Sequence, residues 1–169
     1  MDMRTTQRLA LIVMGLFPAI WGLLGLLNDV TDFNDTLVNA VKPLIGMAST
    51  YGNPWQTWRA ITAPWAAPVA LIGIITVETL AGIFGTVGVI LMLVRIRSSA
   101  AAFERGKVWM IFGSLFGVII WGLGFMVIAG DWFLAWEAKT QPLSTQIGAM
   151  IYFVPCAIAL LMAVLHREE

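Results

Sequence analysis

Four stretches of about 20 residues run through this chain almost without charge, and they constrain its fold more than any other feature. The hydrocarbon core of a bilayer is about 30 Å thick and takes roughly 20 predominantly apolar residues per helix. Leu9 to Leu27, Val108 to Ala129 and Leu143 to Leu165 contain no Asp, Glu, Lys, Arg or His, and Val69 to Val94 contains only Glu78. Lipid offers no partner to an open backbone group, so each stretch is read as a helix, and four are too few and too long for a barrel. The expected fold is therefore an all-α membrane protein, one domain over residues 1–169. Its helices are placed at about 9–27, 69–94, 108–129 and 143–165, with a long first outer loop at about 28–68. A secretory signal has an apolar core of only about 7–15 residues before a small-residue cleavage site. The first stretch is longer and ends in Leu24-Gly25-Leu26-Leu27, so it is expected to remain as a helix.

Composition narrows the function classes. Hydrophobic residues make up 59% of the chain and charged ones 12%, far from the balance of a soluble domain. Ten Lys and Arg against ten Asp and Glu leave no basic excess for a nucleic acid. One Cys and one His exclude a disulfide framework, a Cys/His zinc cluster and paired haem ligands.

Arg4, Arg8, Arg95, Arg97, Arg105, Lys107 and Arg167 fall on one side of the spans, and Lys42, Arg59 and Lys139 on the other. By the positive-inside rule both termini and the loop from Arg95 to Lys107 are expected to be cytoplasmic. Trp55, Trp58, Trp65, Trp132 and Trp136 gather on or near the opposite side, where indoles favour the headgroup level.

In the outer loop, Asp35 precedes an apolar repeat (Leu37, Val38, Val41, Leu44, Ile45), so a short amphipathic helix is expected from about Asp35 to Met47, lying flat at the interface. Asp29, Asp32 and Asp35 stand three apart rather than two, and the twelfth position from Asp29 is Ala40, so they do not make an EF-hand loop; capping and turn roles suit them better. Arg59 is expected to act as a structural clamp on a loop Asp, on Glu78 or on an indole, with an anion contact as the sharper alternative.

An ionised carboxylate in hydrocarbon is costly, so Glu78 is expected to turn inward in the outer half of the bilayer. Ala81, Gly82, Gly85 and Gly88 share its helix face, and the third span has Gly113, Gly117 and Gly124. Small residues allow helix backbones to approach closely, so the second and third helices are expected to meet through these positions. Arg59, Thr79 and Ser114 are the candidate partners of Glu78. Pro18 and Pro155 are expected to kink their helices, Cys156 to pack as a small hydrophobe, and His166 to complement a helix C-terminus.

Asn28-Asp29-x-Thr31-Asp32-Phe33, Trp58-Arg59-Ala60-Ile61, Glu78-Thr79-Leu80-Ala81-Gly82, Gly124-Phe125 and Gly130-Asp131-Trp132-Phe133-x-x-Trp136 resemble, in order, a bacterial family of small integral membrane proteins, domain of unknown function 2165. The resemblance implies four helices in a bacterial inner membrane and supplies no established activity. Where that family tends to carry a His and an Asp in the first outer loop, this chain has Val38-Asn39-Ala40-Val41 and Met47-Ala48-Ser49.

The expected function is a non-catalytic accessory or scaffold subunit of a larger inner-membrane complex, respiratory or photosynthetic. Asp29, Asp32, Trp58, Arg59, Asp131, Trp132 and Trp136 form the expected docking face. The alternative is a small transporter or proton-coupled carrier with Glu78 as coupling carboxylate and Arg59 at the outer mouth. A metal-dependent enzyme built on the outer acidic cluster is a third reading. Lipids and other membrane subunits are the expected partners; no cofactor or metal is expected, and the glycine faces leave room for a bound lipid.

Overall fold

The structure, a computed structural model, describes residues 2–139 and 144–168. Four helices long and apolar enough to cross a membrane dominate it, and no strand occurs among the described residues. They are α1 (Met3–Thr31), α4 (Ala66–Val94), α5 (Ala100–Trp132) and α6 (Ser144–Leu165). Two short helices, α2 (33–45) and α3 (Pro54–Thr57), lie in the segment between α1 and α4. The protein is an integral membrane protein with four apolar helices.

The helices exceed their charge-free cores. At 1.5 Å per residue, the 29 residues of α1 and of α4 each span about 44 Å, more than the hydrocarbon needs. Asp2 sets the start of α1 by accepting the Thr5 amide at 2.8 Å. α5 starts eight residues before its expected position at 108, at Ala100, because Phe103, Gly106 and Lys107 are buried against the bundle. Leu143, the expected start of the fourth span, lies outside the described residues. Pro18 and Pro155 both lie within helices that continue past them.

α4 is the middle layer. Gly82 and Gly85 face α1: a Cβ built on Gly85 would stand 2.7 Å from the Ala19 backbone nitrogen, and one on Gly82 would stand 2.7 Å from that of Leu23. On the opposite flank, Gly88 meets the backbone of Met110, and Gly113 of α5 meets that of Gly85. Lipid tails give no hydrophobic drive between helices, so close backbone packing supplies the cohesion. The expected contact of the second and third helices is therefore present at Gly85, Gly88 and Gly113, but it is half of a three-helix sandwich. Gly82 belongs to the contact with α1, whose Gly15, Gly22 and Gly25 complete that face. Gly117 departs from expectation and packs on Cys156 of α6.

Both termini lie at one end of the bundle, here called the terminal end. Arg8 is 1% exposed and donates to the carbonyls of Ile96 and Ser98 at 2.8 Å and to Glu168 Oε1 at 2.6 Å. Its guanidinium also lies over the Phe103 ring, 4.5 Å from the centroid. One side chain thus ties α1, the α4–α5 turn and the tail together. Lys107 Nζ donates to the His166 carbonyl at 2.6 Å and pairs with Glu104.

At the opposite, loop end, α2 lies over the bundle. Val41 and Ile45 pack with Ala66, Ala67 and Leu71 of α4 and with Phe133 and Leu134 beyond α5. The helix expected at 35–47 forms at 33–45, and its apolar face covers protein rather than lying free at an interface. From Val118 to Trp132, α5 widens from the usual i→i+4 backbone hydrogen bonds to i→i+5 bonds; the Phe133 amide ends the run on the Ile128 carbonyl at 3.0 Å.

Candidate functional site

The widened part of α5, the roof formed by α2 and the loop-end half of α4 line a cavity of about 620 Å³. Leu44 and Ile45 come from α2, Leu71, Ile74 and Glu78 from α4, and Ile120, Phe125 and Ile128 from α5. Met47 and Leu134, both buried, also line it and hold left-handed backbone at φ 50° and 56°. Such backbone costs about 1–3 kcal/mol per residue and persists only where surrounding contacts hold it. Here the chain reverses tightly at the ends of α2 and α5, and the buried side chains fix the two turns against the cavity.

A second cavity of about 480 Å³ lies on the other side of Glu78, between α1, α5 and α6. Trp21, Trp121 and Tyr152 form its aromatic wall, Trp121 stacking on Tyr152 with centroids 5.3 Å apart. Asp29, Glu78, Phe125 and Thr145 line both cavities. The two acids therefore stand at the partition.

Glu78 lies twelve residues, about 18 Å, into α4 and is 6% exposed. Gly25 makes its position possible: a Cβ there would stand 2.5 Å from Glu78 Oε2. The carboxyl faces Asp29, in the last turn of α1, and the Trp121 indole. Glu78 Oε2 has no hydrogen-bond partner among the described residues.

None of the three expected partners pairs with it. Arg59 instead donates to the carbonyls of Gln56 and Asp131 and lies over the Trp132 ring, 5.4 Å from its centroid. Thr79 Oγ1 donates to the Ile75 carbonyl at 2.7 Å, as helix threonines do when no neighbour reaches them. Ser114 is buried with its hydroxyl unpartnered. Arg59 is thus a clamp on the loop and on the end of α5, with Trp58 edge-on to Trp132 at 6.0 Å.

Of the residues expected on a docking face, Asp32, Trp58, Asp131 and Trp132 are exposed. Asp29 is half-buried beside Glu78, and Trp136 is half-buried against the Tyr51 ring. Glu137, 2% exposed, accepts the Tyr51 amide at 3.0 Å and so pins the connecting segment to the end of α5. Sequence reasoning missed Glu137, the burial of Arg8 and the approach of Asp29 to Glu78. The signal for the last was present: Gly22, Gly25 and Asp29 follow one another at helical spacing on one face of α1.

Toward the terminal end the space beyond Glu78 is filled. Ala81, Met110, Ser114 and Cys156 are each 0% exposed, and Gly85 and Gly113 bring the backbones together at this level. At that end the electrostatics are set by Arg8: its hydrogen bonds hold the Glu168 carboxyl below the ordinary glutamate range. No group of three or more His, Cys, Asp or Glu able to hold a metal occurs among the described residues.

The family model described as "Predicted small integral membrane protein (DUF2165)" matches residues 7–166. The chain belongs to this family. The match takes in nearly all of the four long helices, the segment between α1 and α4 and both acids. No curated protein and no solved structure matches the chain.

Proposed function

We propose that this protein is a non-catalytic accessory or scaffold subunit of a larger bacterial inner-membrane complex. The supporting observation is the contrast between a closed core and an open loop end. Glycines pack α1, α4 and α5 backbone against backbone, whereas Tyr51, Trp55, Trp58 and Trp65 are 67–88% exposed on the segment between α1 and α4. Trp and Tyr are the residue types that most often carry binding energy at protein interfaces. On the positive-inside reading of the charge asymmetry the termini are cytoplasmic and this aromatic surface faces outward, where a neighbouring subunit can cover it. Respiratory and photosynthetic assemblies are the complexes of this kind to examine first. Purification in mild detergent tests the reading: a stoichiometric membrane-protein partner should accompany the chain, and its isolation alone and monodisperse from native membranes would contradict it.

A second reading, a small proton-coupled carrier, is favoured by one observation: Glu78 and Asp29 face each other between two cavities. Flux into proteoliposomes, compared with Glu78→Gln, separates the two; flux that the variant abolishes would replace the scaffold reading.

A further inference from the structure

We propose that the loop-end chamber is a binding site for an uncharged long-chain amphiphile, a lipid whose hydroxyl end meets the rim under α2 and whose hydrocarbon chain fills the space between α4 and α5. Glu78 Oε2 is packed on Gly25 and is not open to the chamber, and the two acids face each other and the Trp121 indole, so the interior is left to its apolar wall. Leu44, Leu71, Ile74, Ile120, Phe125 and Phe133 make up much of that wall. Apolar cavities take up hydrocarbon in preference to water, and the volume of about 620 Å³ lies within the range of about 300–1,000 Å³ typical of small-molecule sites. A hydrocarbon chain gives these side chains the dispersion contacts that the rest of the bundle obtains from neighbouring helices.

Gly124 shows that the space belongs to the helix packing itself. Gly85 and Gly88 are pressed on neighbouring backbone, whereas no atom of another element, among the described residues, comes within 4 Å of a Cβ placed on Gly124. That flank of α5 lines the chamber. The way in is lateral: Ile128, 51% exposed, lines the chamber and adjoins the exposed Leu123 and Val127 on the apolar surface of α5, so a chain can pass from the bilayer along one continuous wall. At the roof, Thr36, Asn39 and Ser49 supply neutral hydrogen-bonding groups. Neither an acid nor a base lines the chamber there, from Thr36 to Thr50, and no Lys, Arg or His does so among its described lining residues. A phosphate, sulfate or carboxylate end would therefore find no countercharge, which favours a hydroxyl end over a phospholipid headgroup.

The test uses the full chain in phosphatidylcholine nanodiscs, with a diazirine-bearing hexadecanol as photoprobe and peptide mapping by mass spectrometry. Labelling within residues 70–78 and 120–129 should saturate. Excess hexadecanol should compete for it about tenfold better than hexadecyl sulfate or hexadecyltrimethylammonium, because burying a charge without a countercharge is costly. Gly124→Leu and Ile74→Trp fill the chamber from α5 and from α4, and each should abolish the saturable labelling while helical circular dichroism is retained, so the proposal does not depend on one variant folding. Ile83→Trp, on the exposed surface of α4 away from the chamber, should leave the labelling unchanged. Labelling that never saturates, or that persists in both filling variants, would overturn the proposal. So would equal or better competition by either charged probe, which would make the charge of the head irrelevant or the site ion-selective. Phospholipid that copurifies from native membranes and that hexadecanol does not displace would overturn it by placing a phospholipid chain there.

Discussion

Gly85 lies where all three layers meet, so adding one methyl group there reads out the close packing directly. A Cβ at this position would stand 2.7 Å from the Ala19 nitrogen and 2.9 Å from its Cα, both backbone atoms of α1. Ordinary contact needs about 3.5–4.0 Å between carbons, so α1 must move by about 0.7–1.0 Å. α4 cannot yield the other way, because Gly113 already holds its far flank against α5. Overpacking of this kind costs about 1–3 kcal/mol. Gly73, on the same helix, has nothing within 4 Å of its Cβ position and is the control, since any change in helix propensity from Gly to Ala affects both variants alike. Gly85→Ala should therefore be about 2 kcal/mol less stable than Gly73→Ala, roughly a thirtyfold shift in the folded-to-unfolded ratio. Reversible unfolding in mixed micelles, followed by tryptophan fluorescence, measures this difference. Variants of equal stability would refute the account of the helix sandwich.

Gly25→Ala should destabilise the wild type by about 1–2 kcal/mol and cost less in a Glu78→Ala background, where the Oε2 atom it meets is gone; a double-mutant cycle with no coupling would contradict this. The folded-state pKa of Glu168 is depressed by Arg8, so its stabilisation is complete above the unfolded value near 4.5 and is lost as pH falls through the folded value. Wild type should accordingly lose stability relative to Glu168→Gln in unfolding measured from pH 6 to pH 3. Arg8→Ala leaves the Glu168 carboxylate, the Ile96 carbonyl and the Ser98 carbonyl without their donor and should cost about 3–5 kcal/mol by chemical denaturation. Cys156, 0% exposed against Gly117, should resist maleimide in the folded protein and react once it is denatured, which mass spectrometry follows.

The spans were legible because a bilayer imposes a simple requirement, about 20 apolar residues, that this sequence meets four times. The glycine contact at Gly85, Gly88 and Gly113 was legible for a related reason: small residues at helical spacing have few other uses in lipid. The ends of the helices were not, because Phe103, Gly106 and Lys107 become helical and buried through contacts with other elements that hydropathy does not register. Arg8 illustrates the same limit. A basic residue beside a span reads as an orientation signal, yet here it is a buried hub, and its partners Ile96, Ser98 and Glu168 lie far from it in sequence. Glu78 could be recognised as inward-facing material, but Asp29, grouped with the other loop acids, could be assigned to it only once α1 was seen to run through to Thr31.

The helix sandwich is closed beyond Glu78, so the acids are reached from the loop end alone. Single cysteines introduced in a Cys156→Ser background, labelled with a membrane-impermeant thiol reagent from each face of sealed vesicles, test it directly. Cysteine in place of Ile74, which lines the chamber, should label from the loop face only, and cysteine in place of the fully buried Ser114 should be protected from both. Labelling at position 114 from either face would reveal a water path past the glycine layer and show that the sandwich is open.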